Sequence, residues 1–308
     1  MTSIAVLLPC YNEGKAIGSV VKAFKATLPT AKIYVYDNNS TDDTYQEALK
    51  AGAIVRQEFA QGKGNVVRRM FADIEADVYV MADGDGTYDT PSSPKLIDVL
   101  MNEQLDMVIG TRAGNMEAYR AGHQLGNRLF NWALKLTFNS HFTDIFSGFR
   151  VFSRRFVKSF PALSTGFDIE TELSVHALEM SIPNREIPTP FHERIAGTES
   201  KLSTFKDGFR ILWRMTFLFK EVKPFVFFGT VAAVLAILSI VLGYPVIKTY
   251  FISKWVYKVP TAILAAGLMI LSFIMLTCGL ILSSISYARK ENKKLVYLNT
   301  GSRGQAAG

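Results

Sequence analysis

The sequence predicts an α/β protein: a mostly parallel sheet with helices on both faces, followed by a surface-lying amphipathic helix and two membrane-crossing helices. Three observations carry this expectation. Over about the first 110 residues, short apolar runs alternate with amphipathic stretches, the pattern of βαβ units. The acidic loop Asp83-Gly84-Asp85 follows directly on one such run, at the strand end where open α/β sheets bind ligands. Two uncharged stretches near the C-terminus are each long enough to cross a bilayer's hydrocarbon.

Taken in order, Ile4 to Leu8 reads as a buried strand and Pro9 to Gly14 as the loop into an amphipathic helix through Ala26. Ile33 to Tyr36 is a second strand, ending in Asp37-Asn38-Asn39-Ser40-Thr41-Asp42-Asp43. Ser40 and Asp43 have capping-box spacing, which predicts a helix over Thr41 to Lys50 stopped by Gly52. Ala53 to Arg56 forms a third strand, Gly62-Lys63-Gly64-Asn65 a loop and Val66 to Ile74 a helix.

Val78 to Met81 is the next buried strand, and it breaks into Asp83 and Asp85. Two carboxylates this close repel each other, and a hard divalent cation shared with a phosphate relieves the repulsion, so the pair reads as a Mg²⁺ or Mn²⁺ site. Gly84 and Gly86 are expected to let a ligand approach the backbone. A solvated Asp/Gly turn uses the same residues; the strand in front favours the metal. A calcium loop is excluded, because Tyr88 and Pro94 stand where its Gly and Glu belong. Pro91 and Pro94 open a helix over Lys95 to Asn102, and Met107 to Gly110 is a strand ending at Thr111-Arg112. Neither a P-loop nor a G-x-G-x-x-G turn is present, which disfavours those nucleotide sites.

From Arg112 to Arg155 the composition turns aromatic and basic, as in Asn127-Arg128-Leu129-Phe130-Asn131-Trp132. Such mixing suits a surface that meets an anionic head group on a lipid tail, and equally suits a packed helix with solvated arginines. Phe167 to Glu172 sets acids at alternate positions before a helix, where the helix dipole by itself would also favour them. Arg194 to Lys201 is a polar loop of the kind that closes over phosphates. A helix over Ser203 to Val222 would gather Lys206, Arg210, Arg214 and Lys220 in one sector and lie in the membrane surface.

The chain carries a net charge of +7 with a pI near 9.3. Phe225 to Ile247 and Pro260 to Ala288 contain no charged residue; at about 1.5 Å per residue both stretches span the hydrocarbon core. Lys206, Arg210, Arg214, Lys220 and Lys223 precede this hairpin, and Arg289, Lys290, Lys293 and Lys294 follow it. The positive-inside rule then places the large N-terminal part and the C-terminus in the cytoplasm, despite Lys248, Lys254 and Lys258 in or near the connecting loop. The surplus positive charge reads as attraction to a membrane surface, not to nucleic acid. Ile4 to Leu8 is too short for the apolar core of a signal peptide. Cys10 and Cys278 fall in different parts of the chain and are not expected to pair, which fits a reducing cytosol. The expected division is 1–202 for the α/β domain, 203–223 for the interfacial helix, 224–288 for the hairpin and 289–308 for a tail.

Five motifs in order, Pro9-Cys10-Tyr11-Asn12-Glu13, Asp37-Asn38-Asn39-Ser40-Thr41-Asp42, Asp83-Gly84-Asp85, Ser147-Gly148-Phe149-Arg150 and Gly197-Thr198-Glu199-Ser200-Lys201, resemble the family-2 glycosyltransferases of the GT-A, Rossmann-like fold. Within that family they look like the polyprenyl-phosphate sugar synthases typified by dolichyl-phosphate mannose synthase, some of which carry a C-terminal transmembrane hairpin. The resemblance implies that Pro9, Tyr11, Glu13 and Asp37 hold the base and ribose of a UDP- or GDP-sugar, with Lys63 and Gly84 also lining the donor site. It implies that Asp83 and Asp85 meet the diphosphate through Mg²⁺ or Mn²⁺, and that Arg112, Arg128, Ser147, Arg150 and Lys201 engage donor or acceptor phosphate. Asp85, Asp144 and Arg128 would carry catalysis, Asp144 by orienting the acceptor or a basic side chain. Thr87 stands where close relatives often have Gln, which leaves the third metal ligand open, and the Q-x-x-R-W motif of processive synthases is missing. The implied reaction is one inverting transfer onto a membrane-held polyprenyl phosphate. The alternatives are a membrane-bound glycosyltransferase acting on another lipid or glycan acceptor, a nucleotidyltransferase, which shares the acid pair but leaves the hairpin unexplained, and a catalytically dead membrane scaffold, which leaves the intact acid and nucleotide loops unexplained. Self-association stays open.

Overall fold

The computed structural model describes residues 2–113, 142–163, 166, 169–192 and 219–301. It divides into two compact units, residues 1–208 with 292–308, and residues 209–291.

In the first unit, β1 (Ile4–Cys10), α1 (Gly14–Thr27), β2 (Lys32–Asp37), α2 (Thr44–Lys50), β3 (Ile54–Gln57), α3 (Lys63–Asp73) and β4 (Val78–Met81) alternate as expected. A 3-10 turn (Thr90–Ser92) leads into α4 (Ser93–Asn102) and β5 (Met107–Ala113). β6 (Arg150–Ser153), α5 (Arg154–Ser159), α6 (Ile169–Met180) and β7 (Asn184–Pro190) complete the described part of this unit apart from the last turns of the C-terminal helix. The seven strands form one sheet in the order β3-β2-β1-β4-β6-β5-β7. All neighbours are parallel except β6, which runs antiparallel between β4 and β5 and pairs Val80 with Val151 and Ile109 with Arg150.

The central strands are apolar throughout because both faces are covered: every residue of β4 is buried, as is β1 from Ala5 to Cys10. α1 lays Ala16, Ile17, Val20, Val21 and Phe24 on the sheet, a helical stripe at spacings of one, three and four. Full burial of a side chain such as Phe24 contributes about 2–3 kcal/mol. With β1, β2, β4 and β5 parallel, their carboxyl ends lie along one rim, and that rim carries Cys10, Asp37, Asp83 and Arg112.

Two helix starts differ from expectation. α2 begins at Thr44 rather than Thr41, because the Ser40 hydroxyl accepts the Asn12 N–H (2.8 Å) instead of capping a helix. α3 begins at Lys63, so Lys63, Gly64 and Asn65 form its first turn and not a loop; Gly62, at φ 126°, makes the entry. Gly52 does end α2, at φ 83°.

In the second unit, α7 (Pro224–Ser253) and α8 (Val259–Asn299) have 30 and 41 residues, both long and apolar enough to cross a membrane. They pack through small residues: the Ser239 hydroxyl donates to the Ala265 carbonyl (2.7 Å) and Ser272 to the Ala232 carbonyl (2.8 Å). The last turns of α8, from Asn292, belong to the first unit. There the Lys293 ammonium meets Glu179 at 2.9 Å, and the Tyr297 hydroxyl donates to Asp106, a fully buried carboxylate that also takes Arg155 and Ser153. Lys293 and Tyr297, read from sequence as part of a tail, thus pack on the α/β unit.

Candidate active site

Two loops at the rim are laced into one cradle. β1 and β2 pair until Cys10 faces Asp37, and the loops beyond them exchange side-chain hydrogen bonds. The Asn12 side-chain carbonyl accepts the Thr41 N–H (2.8 Å), Glu13 N–H donates to Thr44 Oγ1 (2.8 Å), and Gly14 N–H donates to Asp42 Oδ2 (2.9 Å). Asn38 reaches the other way, donating to the carbonyls of Glu58 (2.8 Å) and Ala60 (2.9 Å) and accepting from Gly62 N–H (2.6 Å). Asp37 sits at the centre, only 1% exposed. Its Oδ2 accepts the Ser40 N–H at 3.3 Å, while Oδ1 has no hydrogen-bond partner among the described residues. A buried carboxylate oxygen left unmatched costs about 1–3 kcal/mol, a deficit that a ligand N–H or O–H would remove. Pro9 is buried in β1, and Tyr11 and Glu13 are half-buried in the loop after it.

The acid pair follows β4. Asp85 is buried, and its Oδ1 accepts both the N–H (3.1 Å) and the hydroxyl (2.7 Å) of Thr87. Thr87 therefore orients the Asp85 carboxylate. The Asp83 side chain is more open, and its carboxylate lies against the bare Cα of Gly148, where a Cβ would come within 3.0 Å of Oδ2. Gly148 N–H in turn donates to the Tyr88 hydroxyl oxygen (2.7 Å). At Gly84 a Cβ would meet Cys10 Sγ at 2.4 Å, so the missing side chain lets this residue pack over the thiol. Gly86 is required by its φ of 77°. Burial, then Glu13, Asp37, Asp83 and Asp85, push the Cys10 thiol well above its ordinary pKa, so it stays protonated and unreactive at neutral pH.

Lys63, on the first turn of α3, ion-pairs with both Asp83 and Glu170, the latter on α6. Burial opposes its charge, but Asp83 and Glu170 outweigh burial and hold its pKa above the usual lysine value. Glu170 is the participant that the sequence reading left unassigned. Its place in the alternating acids of 167–172 was the available signal, but a dipole-favoured helix entry uses the same residues.

On the β5 side, Arg112 forms a bidentate pair with Asp144, Nε to Oδ2 at 2.7 Å and Nη2 to Oδ1 at 2.6 Å. Asp144, expected to orient the acceptor or a basic side chain, thus has a basic side chain as its partner. Asp144 N–H is itself held by Glu186 (3.1 Å). Ser147 and Arg150, expected at acceptor phosphate, are corrected: both are fully buried. Ser147 donates to the Gly110 carbonyl (2.6 Å), and Arg150 donates to the carbonyls of Ser147 (2.8 Å) and Ile145 (2.6 Å), so both brace the loop from within. Burial lowers the Arg150 pKa to about 10, still charged at neutral pH. Arg128, Lys201, the loop Gly197 to Lys201 and most of the expected interfacial helix lie outside the described residues.

Asp83 and Asp85 offer only hard oxygen donors, which fits Mg²⁺ or Mn²⁺ and not a soft metal. Among the described residues no group of three or more potential ligand side chains converges.

The model of the family described as Glycosyl transferase family 2 matches residues 5–160, the span that contains the cradle, the acid pair and β6. The chain belongs to glycosyltransferase family 2. It is an enzyme of the glycosyltransferase class. A glycosyltransferase named AglJ from Haloferax volcanii is 34% identical over 232 residues, covering 74% of this chain and 76% of that protein. A protein of the same organism named dolichyl-phosphate hexose transferase is 30% identical over 207 residues, covering 67% and 89%. Among solved structures, glucosyl-3-phosphoglycerate synthase from Mycobacterium tuberculosis, in complex with Mn²⁺, uridine diphosphate and phosphoglyceric acid, superposes with a TM-score of 0.60 at 21% identity, covering 72% and 78%. At that identity it shows the fold alone.

Proposed function

We propose that this glycosyltransferase moves one sugar from a nucleotide-sugar to a polyprenyl phosphate at the cytoplasmic face of a membrane, with inversion at the anomeric carbon. The observation that carries the acceptor reading is the pair of helices α7 and α8 behind a family 2 catalytic domain, each long and apolar enough to span hydrocarbon. The likeness to a dolichyl-phosphate hexose transferase supports it. Basic residues on both outer flanks of the hairpin favour the cytoplasmic orientation.

Asp37 Oδ1 would accept from the base or ribose of the donor, and the loops around Asn12 and Asn38 would hold that end rigid. Asp83 and Asp85 would hold Mg²⁺ or Mn²⁺, which when bound neutralises the diphosphate as it leaves. Arg112, aimed by Asp144, would orient the acceptor phosphate. A phosphate monoester is already nucleophilic at neutral pH, so the chain has to position it rather than deprotonate it with a strong base.

The test is to incubate the full-length protein with UDP- and GDP-sugars and Mn²⁺, offering polyprenyl phosphate in vesicles or 3-phosphoglycerate in solution. Sugar-labelled lipid is the expected product. Transfer to 3-phosphoglycerate with no labelled lipid would overturn the acceptor assignment.

A further inference from the structure

Lys63 is not placed as an ordinary phosphate ligand would be. Its ammonium is buried between the carboxylates of Asp83 and Glu170, with 11% of its side chain exposed. Both partners are fixed. Lys63 stands on the first turn of α3, whose Val66, Val67 and Met70 are packed in the core, and Gly64 N–H donates to the Gly166 carbonyl (3.2 Å) just ahead of α6. Glu170, in the first turn of α6, is itself 5% exposed. On its other side the Asp83 carboxylate is pressed against Gly148. One carboxylate therefore serves two cationic claims: that of Lys63, and that of the divalent cation implied by the Asp83 and Asp85 pair.

We infer that Lys63 is an internal counter-ion that competes with the divalent cation for Asp83, with Glu170 as the positioning residue that keeps the ammonium when Asp83 is given up. The inference rests on the metal and nucleotide half of the proposed function, and not on its acceptor half. A dication and an ammonium within a few ångströms repel, and this weakens binding of the cation alone by about tenfold even when solvent screens the pair. A nucleoside diphosphate brings negative charge of its own and removes the penalty. Because Glu170 remains a partner, Lys63 leaves Asp83 without becoming an unpaired buried charge, which would be far more costly. The consequence is coupled filling: cation and diphosphate enter together, and the cation does not settle firmly alone. Thermodynamic linkage makes that coupling reciprocal.

The test reads binding of Mn²⁺, as free-ion electron paramagnetic resonance, to the full-length protein in detergent with and without UDP. The wild type should bind Mn²⁺ weakly alone and much more tightly with UDP. Lys63→Gln should tighten binding of Mn²⁺ alone by about tenfold and shrink the effect of UDP, whereas Lys63→Arg, which keeps the charge, should stay weak. Glu170→Gln, which concentrates Lys63 on Asp83, should weaken Mn²⁺ alone severalfold. A merely structural lysine would not produce tighter metal binding when removed. A folded Lys63→Gln protein that binds Mn²⁺ no better than wild type overturns the inference, and so does unchanged Mn²⁺ affinity in Glu170→Gln should Lys63→Gln fail to fold. If the wild type binds no Mn²⁺ even with UDP, the metal assignment itself falls, and the inference falls with it.

Discussion

Gly148→Ala and Gly110→Ala make the same chemical change at two glycines, Gly110 in β5 and Gly148 just before β6, and the structure assigns them different consequences. At Gly148 the added Cβ would lie 3.0 and 3.2 Å from the two oxygens of Asp83 and 3.3 Å from its Cγ. Comfortable contact needs a few tenths of an ångström more, so the carboxylate has to turn, against its ion pair with Lys63. A side chain forced off its preferred rotamer costs about 1 kcal/mol, which is about fivefold in whatever that carboxylate binds. At Gly110 the Cβ would meet Phe149 Cδ1 at 2.7 Å and the Thr189 side chain at 3.2 Å, both buried. That is overpacking of the core and costs about 1–3 kcal/mol of stability without touching an acid.

The assay pairs thermal unfolding with transfer rates measured across a Mn²⁺ and donor titration. Gly148→Ala should raise the half-saturating Mn²⁺ and donor concentrations about fivefold while its Tm stays within a few degrees of wild type. Gly110→Ala should lower Tm and leave both half-saturation values unchanged. If Gly148→Ala retains wild-type metal and donor dependence, Asp83 is not in the donor site and the reading of the acid pair is wrong.

Further outcomes follow from the same geometry. Asp85→Asn should abolish transfer at saturating donor with the circular dichroism spectrum unchanged, since half the charge that the acid pair offers a cation is gone; activity within a few-fold of wild type would remove Asp85 from the metal site. Arg150→Met should cost about 2–4 kcal/mol by removing the buried hydrogen bonds to the Ser147 and Ile145 carbonyls, read as a fall in Tm, with no selective rise in acceptor KM. His176, ringed by Phe156 and Phe160, has its pKa lowered to about 3 by burial and then by Lys293. The unfolded chain therefore binds the extra proton first, so stability is full above about pH 6.5 and declines as pH falls from there toward 3. His176→Phe should flatten that decline in a pH series of melting temperatures.

The acid pair and its strand were legible because a buried strand of four residues ending in Asp-Gly-Asp leaves few alternatives at a sheet rim. The cradle was legible in the same way, as clusters of Asn, Asp and Ser at the ends of β1 and β2. β6 was not: Arg150-Val151-Phe152-Ser153 is too short for a period, and its arginine reads as solvent-facing until the Ile145 and Ser147 carbonyls are seen to bury it. The start of α2 was displaced because Ser40 had a second use, holding Asn12, which spacing within one segment cannot reveal. Lys63 and Glu170 lie more than 100 positions apart, and only the meeting of α3 with α6 makes them a pair.

Net charge describes the chain as a whole and not the sheet rim. The chain is basic overall, at +7, yet the rim gathers Glu13, Asp37, Asp83 and Asp85 around Cys10, with Glu170 next to Lys63. Arg112 adds little attraction there, because Asp144 already neutralises it through two hydrogen bonds. A site of that sign would repel a diphosphate, and a divalent cation entering with it would relieve that repulsion, which agrees with the reading of the two aspartates proposed above. The basic surplus lies instead on the flanks of the hairpin, at Lys220, Lys223, Arg289, Lys290 and Lys294, where it fits anionic lipid. Opposite charges thus gather in separate parts of one chain, acidic at the sheet rim and basic beside the hairpin.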